Sequence, residues 1–182
     1  MRSLLAGMSI VAVALAGCAS PPQPSATPAA TAAPTSTALP TASPVAVAGG
    51  CGSSQVFAGP GPDAALGLSD NPWAGASPGS AGVVAYFWFK PPTLVRVEGA
   101  DGNGTKVLWM VHGGNVGPFE ISAHPLDAAA PVVQVVARQA DSPAGGYPSD
   151  VAIPTPGCWR FEITSGTSRA TLDVLVAPAA SS

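Results

Sequence analysis

The chain is expected to fold as an all-β protein, a single antiparallel Ig-like β-sandwich of about seven or eight strands. Three observations lead there. Short apolar or alternating runs recur through the second two-thirds of the chain. Gly and Pro, 21 of each, punctuate those runs every few residues. No stretch holds a 3.6-residue apolar period long enough for a helix, because Gly and Pro interrupt it.

Gln55–Phe57 reads as a short first strand. Gly82–Phe89 is a continuous apolar run, as is most of Lys106–His112. Strands apolar on both faces belong in the middle of a covered sheet. Leu94–Glu98 alternates, and Phe119–Ala123 and Val132–Arg138 follow. Cys158–Thr164 alternates strictly, with Trp159, Phe161 and Ile163 on one face and Arg160, Glu162 and Thr164 on the other. Ala170–Val176 groups Leu172, Val174 and Val176. A jelly roll or a small barrel is the second choice of architecture. Asp101-Gly102-Asn103-Gly104 supplies the positive φ of a tight hairpin turn. As a calcium loop it lacks the later acidic ligands. Gly113–Pro118 is expected to join 106–112 and 119–123 as a hairpin, with His112 near residue 119.

Ahead of the folded region, expected at 49–178 with a tail at 179–182, the composition changes. Residues 19–48 hold ten Ala, seven Pro, five Thr and four Ser, with no charge and no aromatic ring. Such a segment has too little to bury to offset its ordering entropy, so 18–48 reads as an extended linker. Before it, residues 3–17 form an uncharged apolar run behind Arg2. About 15 residues fall short of the ~20 that a membrane-spanning helix needs, and the pattern fits a signal peptide over residues 1–17.

The apolar run closes with Leu15-Ala16-Gly17-Cys18, followed at once by the Pro/Ala/Thr/Ser tract. This order resembles the lipobox of bacterial lipoprotein precursors. An ordinary secretory signal, with Cys18 incidental, is the plainer alternative. The resemblance implies cleavage before Cys18, a diacylglyceryl group on its sulfur, and attachment to the outer side of a bacterial membrane. Two or more acyl chains give stable anchoring where one gives marginal binding. Lipidation of Cys18 would also account for the odd count of three cysteines, leaving Cys51 and Cys158 to pair in an oxidising compartment. The alternative is two free buried thiols. A bridge over about 100 residues contributes up to ~4.7 kcal/mol on the chain-entropy model. It would pin the N-terminal arm to a late strand, unlike the core-crossing bridge of immunoglobulin domains. Pro156-Gly157-Cys158-Trp159-Arg160-Phe161, with Lys106–Trp109 upstream, is similar to bacterial secreted Ig-like proteins of no assigned activity.

Little in the sequence points to chemistry. Met110, His112 and His124 are close in sequence, and soft and imidazole ligands suit copper. On the expected hairpin, however, His112 and His124 stand more than ~13 Å apart, so no metal or other cofactor is expected. There is no Gly-x-Ser-x-Gly elbow, and no catalytic residue is assigned. Asp63, Asp70, Asp127, Asp141 and Asp150 fall in expected loops as solvated acids. Trp88, Trp109 and Trp159 lie in apolar runs and are expected in the core. Trp73 and Tyr147, in Gly/Pro-rich loops, are the candidate ligand-binding aromatics. Without Arg2 the chain has six Lys/Arg against ten Asp/Glu and no basic cluster, which speaks against nucleic acid. The expected protein is a non-enzymatic envelope lipoprotein. Its partners would be the membrane, through Cys18, and a protein or glycan ligand. A loop-aromatic glycan or small-ligand binder is second, and a secreted hydrolase third.

Overall fold

A computed structural model describes residues 42–97, 104–113, 118–137 and 146–178. The leader, Cys18, linker residues 18–41, Asp101–Asn103, Asp141 and the tail 179–182 lie outside them. No helix among the described residues is long and apolar enough to cross a membrane.

The fold is all-β, with two mostly antiparallel sheets face to face. In chain order the strands are β1 (Val45–Val47), β2 (Val56–Ala58), β3 (Trp73–Gly75), β4 (Val83–Phe87), β5 (Val95–Arg96) and β6 (Thr105–Val111). After them come β7 (Phe119–Pro125), β8 (Val133–Val135), β9 (Gly146–Val151), β10 (Gly157–Ser165) and β11 (Ser168–Ala177). Sheet 1 has the order β1-β2-β3-β4-β6-β9 and sheet 2 the order β5-β11-β10-β7-β8.

Eleven strands among the described residues exceed the seven or eight expected. The additions are short or atypical. β1 lies inside the stretch expected to be linker, so the sheet starts before residue 49. Its Val-Ala-Val is only three residues long, and its hydrogen bonds to β2 make it a strand. β3 holds three residues between Asn/Pro and Gly/Ser signals. β9 contains Pro148 and Asp150, both depleted in strands, and it tolerates Pro at the edge of sheet 1.

The expected hairpin of 106–112 with 119–123 does not form. β6 pairs with β4 and β9 in sheet 1, while β7 pairs with β10 and β8 in sheet 2. The connection after His112 therefore crosses between sheets. Sequence proximity suggested a hairpin, but β6 is enclosed by β4 and β9 and β7 by β10 and β8. The same holds across Asp101–Gly104, because β5 and β6 belong to different sheets. β4 and β6 are central strands, as their two-sided apolar character required.

The core lies between the two inner faces. Sheet 1 contributes Val56, Ala74, Val83, Ala85, Phe87, Val107 and Trp109. Sheet 2 contributes Ile121, Ala123, Trp159, Phe161, Ile163, Leu172, Val174 and Val176. Trp109 meets Phe161 with ring centroids 5.8 Å apart. The two indoles between the sheets find acceptors: Trp109 Nε1 donates to Ser149 Oγ at 2.9 Å and Trp159 Nε1 to Thr155 O at 3.0 Å.

β11 would leave one edge of its backbone unpaired. Three separate segments cover it instead. β5 pairs in parallel at Val176 and Ala177, the Gly49–Cys51 segment bonds at Asp173 and Leu175, and Ser77 bonds both ways with Thr171 at 2.8 Å. A covered edge cannot template pairing with another chain.

Leu172 is fully buried on the inner face of β11. Leu172→Ala is expected to cost about 2–5 kcal/mol, measured as a lower denaturant midpoint at unchanged slope in equilibrium unfolding.

Candidate functional site

Three side-chain groups lie on the outer faces of the sandwich. The first is a strap over the outer face of sheet 2. Cys51 and Cys158 are bonded, Cα–Cα 6.0 Å apart, across 107 residues of sequence. Next to the bond, Asp173 is on the outer face yet 1 % exposed, because Gly52–Ser54 cover it. Arg160 clamps its carboxylate from β10, Nε to Oδ1 at 2.8 Å and an Nη to Oδ2 at 3.0 Å. Ser53 donates its backbone N–H to Oδ2 at 3.2 Å, and the Asp173 N–H donates to Ser54 Oγ at 2.8 Å. The Arg160 guanidinium holds the Asp173 carboxyl below the usual carboxylate range, with burial opposing it. Gly52 is required here. Its φ is +55°, and a Cβ would stand 2.4 Å from Asp173 Oδ2.

The second group is on the outer face of sheet 1. Tyr86 on β4 is buried and donates its hydroxyl proton to Asp63 Oδ2 at 3.0 Å, while Asp63 N–H donates to Tyr86 Oη at 3.0 Å. His112 Nε2 lies 3.3 Å from the same carboxylate oxygen. Burial pushes the Tyr86 phenol well above its ordinary range, so it stays protonated as a donor. Asp63, expected as a solvated loop acid, is 7 % exposed. It follows Pro60-Gly61-Pro62 and fastens the loop over an apolar patch of Leu68, Val84, Tyr86 and Met110. Gly61 packs against Tyr86 Oη, where a Cβ would come within 2.7 Å.

The third group is a row of exposed side chains: Trp88, Lys106 and Asp150. Trp88, expected in the core, is 45 % exposed. It sits one step past β4, where the inward position has already been taken by Phe87.

The structure does not bring Trp73 and Tyr147 together. Trp73 is in register with Tyr86 on the outer face of sheet 1 and stacks on Phe57, centroids 4.8 Å apart. Tyr147 is in register with the core residue Trp109 and stacks on Phe119 at 4.3 Å. Both are half-buried on strands, on opposite faces of one sheet. They form no common platform, because β3 and β9 are strands and alternation assigns each ring its side. Trp73 Nε1 is buried without a partner among the described residues.

His112 and His124 are equally far from sharing a ligand. His112 is at the outer face of sheet 1, whereas His124 is in register with Arg160 on the outer face of sheet 2. His124 Nδ1 lies 2.8 Å from Pro125 O and 2.9 Å from Ala128 O, two acceptors that assign the proton to Nδ1. Met110 is buried under the Asp63 loop. Among the described residues no three His, Cys, Asp or Glu groups are placed to hold a metal ion. Cys18 lies outside the described residues.

No family model matches the chain, and neither a curated protein nor a solved structure matches it.

Two variants separate the straps. Asp173 has a folded-state pKa below its unfolded value, so its stabilisation is present above about pH 4 and is lost as pH falls through the folded value. Asp173→Asn removes the charge from the Arg160 pair and should lower stability at pH 7 by about 2 kcal/mol, a loss limited by the partly exposed Arg160 regaining water. The deficit should shrink on acidification toward pH 3, as read by unfolding midpoints of both proteins at each pH. Tyr86→Phe leaves Asp63 with one fewer donor in a buried site and should cost about 1–3 kcal/mol. Faster proteolysis within residues 60–71 than in the parent would locate that loss.

Proposed function

We propose that the chain is an exported, lipid-anchored envelope protein that carries a disulfide-clamped β-sandwich on a flexible stalk and acts by binding. The observation that carries the reading is the use of the cysteines. Cys51 and Cys158 are consumed by one bond, which leaves Cys18 as the remaining thiol of three. That cysteine stands directly after Leu-Ala-Gly at the end of a short apolar run, the position of the acylated residue in bacterial lipoproteins. Disulfides persist outside the cytoplasm, so the bond and the leader agree on the compartment.

The described domain fits a role at the end of a stalk. Its first strand starts at Val45, directly after the Pro/Ala/Thr tract. The strap at Gly49–Ser54 then ties the entering chain to β10 and β11, so a pull on the stalk is borne by a covalent bond as well as by β1. Binding of a glycan or small ligand through aromatic side chains is supported by one observation. Trp88 is exposed beside Lys106 on the outer face of sheet 1.

Expression of the full chain in a bacterial host tests the anchor. The parent protein should partition into the membrane fraction and incorporate labelled palmitate. Cys18→Ser should appear as unlabelled protein in the soluble fraction. Membrane retention of a processed Cys18→Ser chain would defeat the reading.

A further inference from the structure

Trp88 extends the β4–β6 ladder by one residue, its N–H directed at Lys106 O at 3.4 Å. The preceding pair, Phe87 and Val107, points into the core, so alternation directs Trp88 and Lys106 outward, in keeping with their exposure. Lys106 is in register with Asp150 on β9, which is exposed as well. Trp88, Lys106 and Asp150 therefore form one row across three strands, about 10 Å long from two interstrand spacings. Lys106 and Asp150 continue the row into a groove of about 490 Å³, completed by Val136, Pro148 and Ser149. That volume is in the range of small-molecule sites.

The chemistry of the row is specific. The neighbouring ring, Phe89, is already covered by the Arg96 guanidinium, 4.5 Å from its centroid. Among the described residues no ring or cation covers Trp88. Among the described residues no ion pair joins Lys106 to Asp150, so three N–H donors and two carboxylate oxygens remain available. Their charges cancel, which disfavours a strongly anionic or cationic ligand. A neutral ligand with an apolar ring face and hydroxyl groups around its rim uses all three side chains. The flat C–H face of a pyranose stacks on indole, while its hydroxyls accept from the ammonium and donate to the carboxylate.

We propose that Trp88, Lys106 and Asp150 form a binding site for a neutral saccharide chain, whose next unit lies in the groove along β9. The proposal rests on the binding role above and is independent of the anchor at Cys18. The full chain should be titrated with cellohexaose and with chitohexaose, following Trp fluorescence and heat. At least one of the two should bind saturably. Trp88→Ala should weaken it about tenfold or more, and Lys106→Ala and Asp150→Ala severalfold each, while Glu162→Ala on the other sheet leaves it unchanged. Unfolding midpoints equal to the parent's show that the exposed replacements have not damaged the fold. Binding that is unchanged in Trp88→Ala, or no binding of either hexamer, overturns the proposal. A synthetic peptide of residues 19–41 is the competing occupant, since Pro-rich segments also dock on aromatic surfaces. Trp88-dependent binding of that peptide without saccharide binding also overturns it. Neither failure alters the membrane partition of the Cys18 pair of proteins, which reports on the anchor alone.

Discussion

A carboxylate buried on the outside of a sheet organises the N-terminal half of the fold. Asp173 occupies a position where alternation directs a side chain to solvent, and it is 1 % exposed. A buried charge is tolerated only when it is paired and hydrogen-bonded. Arg160 supplies the charge, and Ser53 supplies a backbone donor. The Gly52–Ser54 segment must therefore lie over β11, and the disulfide from Cys51 to Cys158 keeps it there. With that segment held, β1 and β2 reach the far edge of sheet 1 from a fixed point on sheet 2. One strap thus covers an open edge, buries a carboxylate and ties the two sheets together.

The outer face of sheet 1 repeats this device without a disulfide. Asp63 reaches Tyr86 and His112, and the loop around it covers Leu68, Val84 and Met110. A small sandwich has more apolar surface than two inner faces can bury, since β4 and β6 are apolar on both sides. The loop of 60–71 supplies the second layer. Where that cover ends, the outer face carries Trp88, Lys106 and Asp150 in the open.

Much of this fold was legible in the chain. The alternation of Trp159, Phe161 and Ile163 set the inner face of β10, and the two-sided apolar runs marked β4 and β6 as central. Trp88 was misplaced because an apolar run does not show where its strand stops. Phe87 takes the inward position at the end of β4, so alternation turns the next ring to the outer face. Trp73 and Tyr147 were read as loop aromatics because Gly and Pro surround them. Hydrogen bonds to distant strands make their segments β3 and β9, with the two rings on opposite faces. Asp63 gave no signal, since a loop acid acquires its meaning from a tyrosine 23 residues away.

The chain by itself determined the all-β class, most of the core and the cysteines available to pair. Those properties follow from local periodicity and residue chemistry, which act over a few neighbours at a time. Tertiary structure decided which strands share a sheet, that residues 106–112 and 119–123 part company, and which acids are buried. It also decided which tryptophan faces solvent. These outcomes depend on backbone hydrogen bonds and burial between residues far apart in sequence. Strand alternation leaves the choice of partner open until the whole core is assembled.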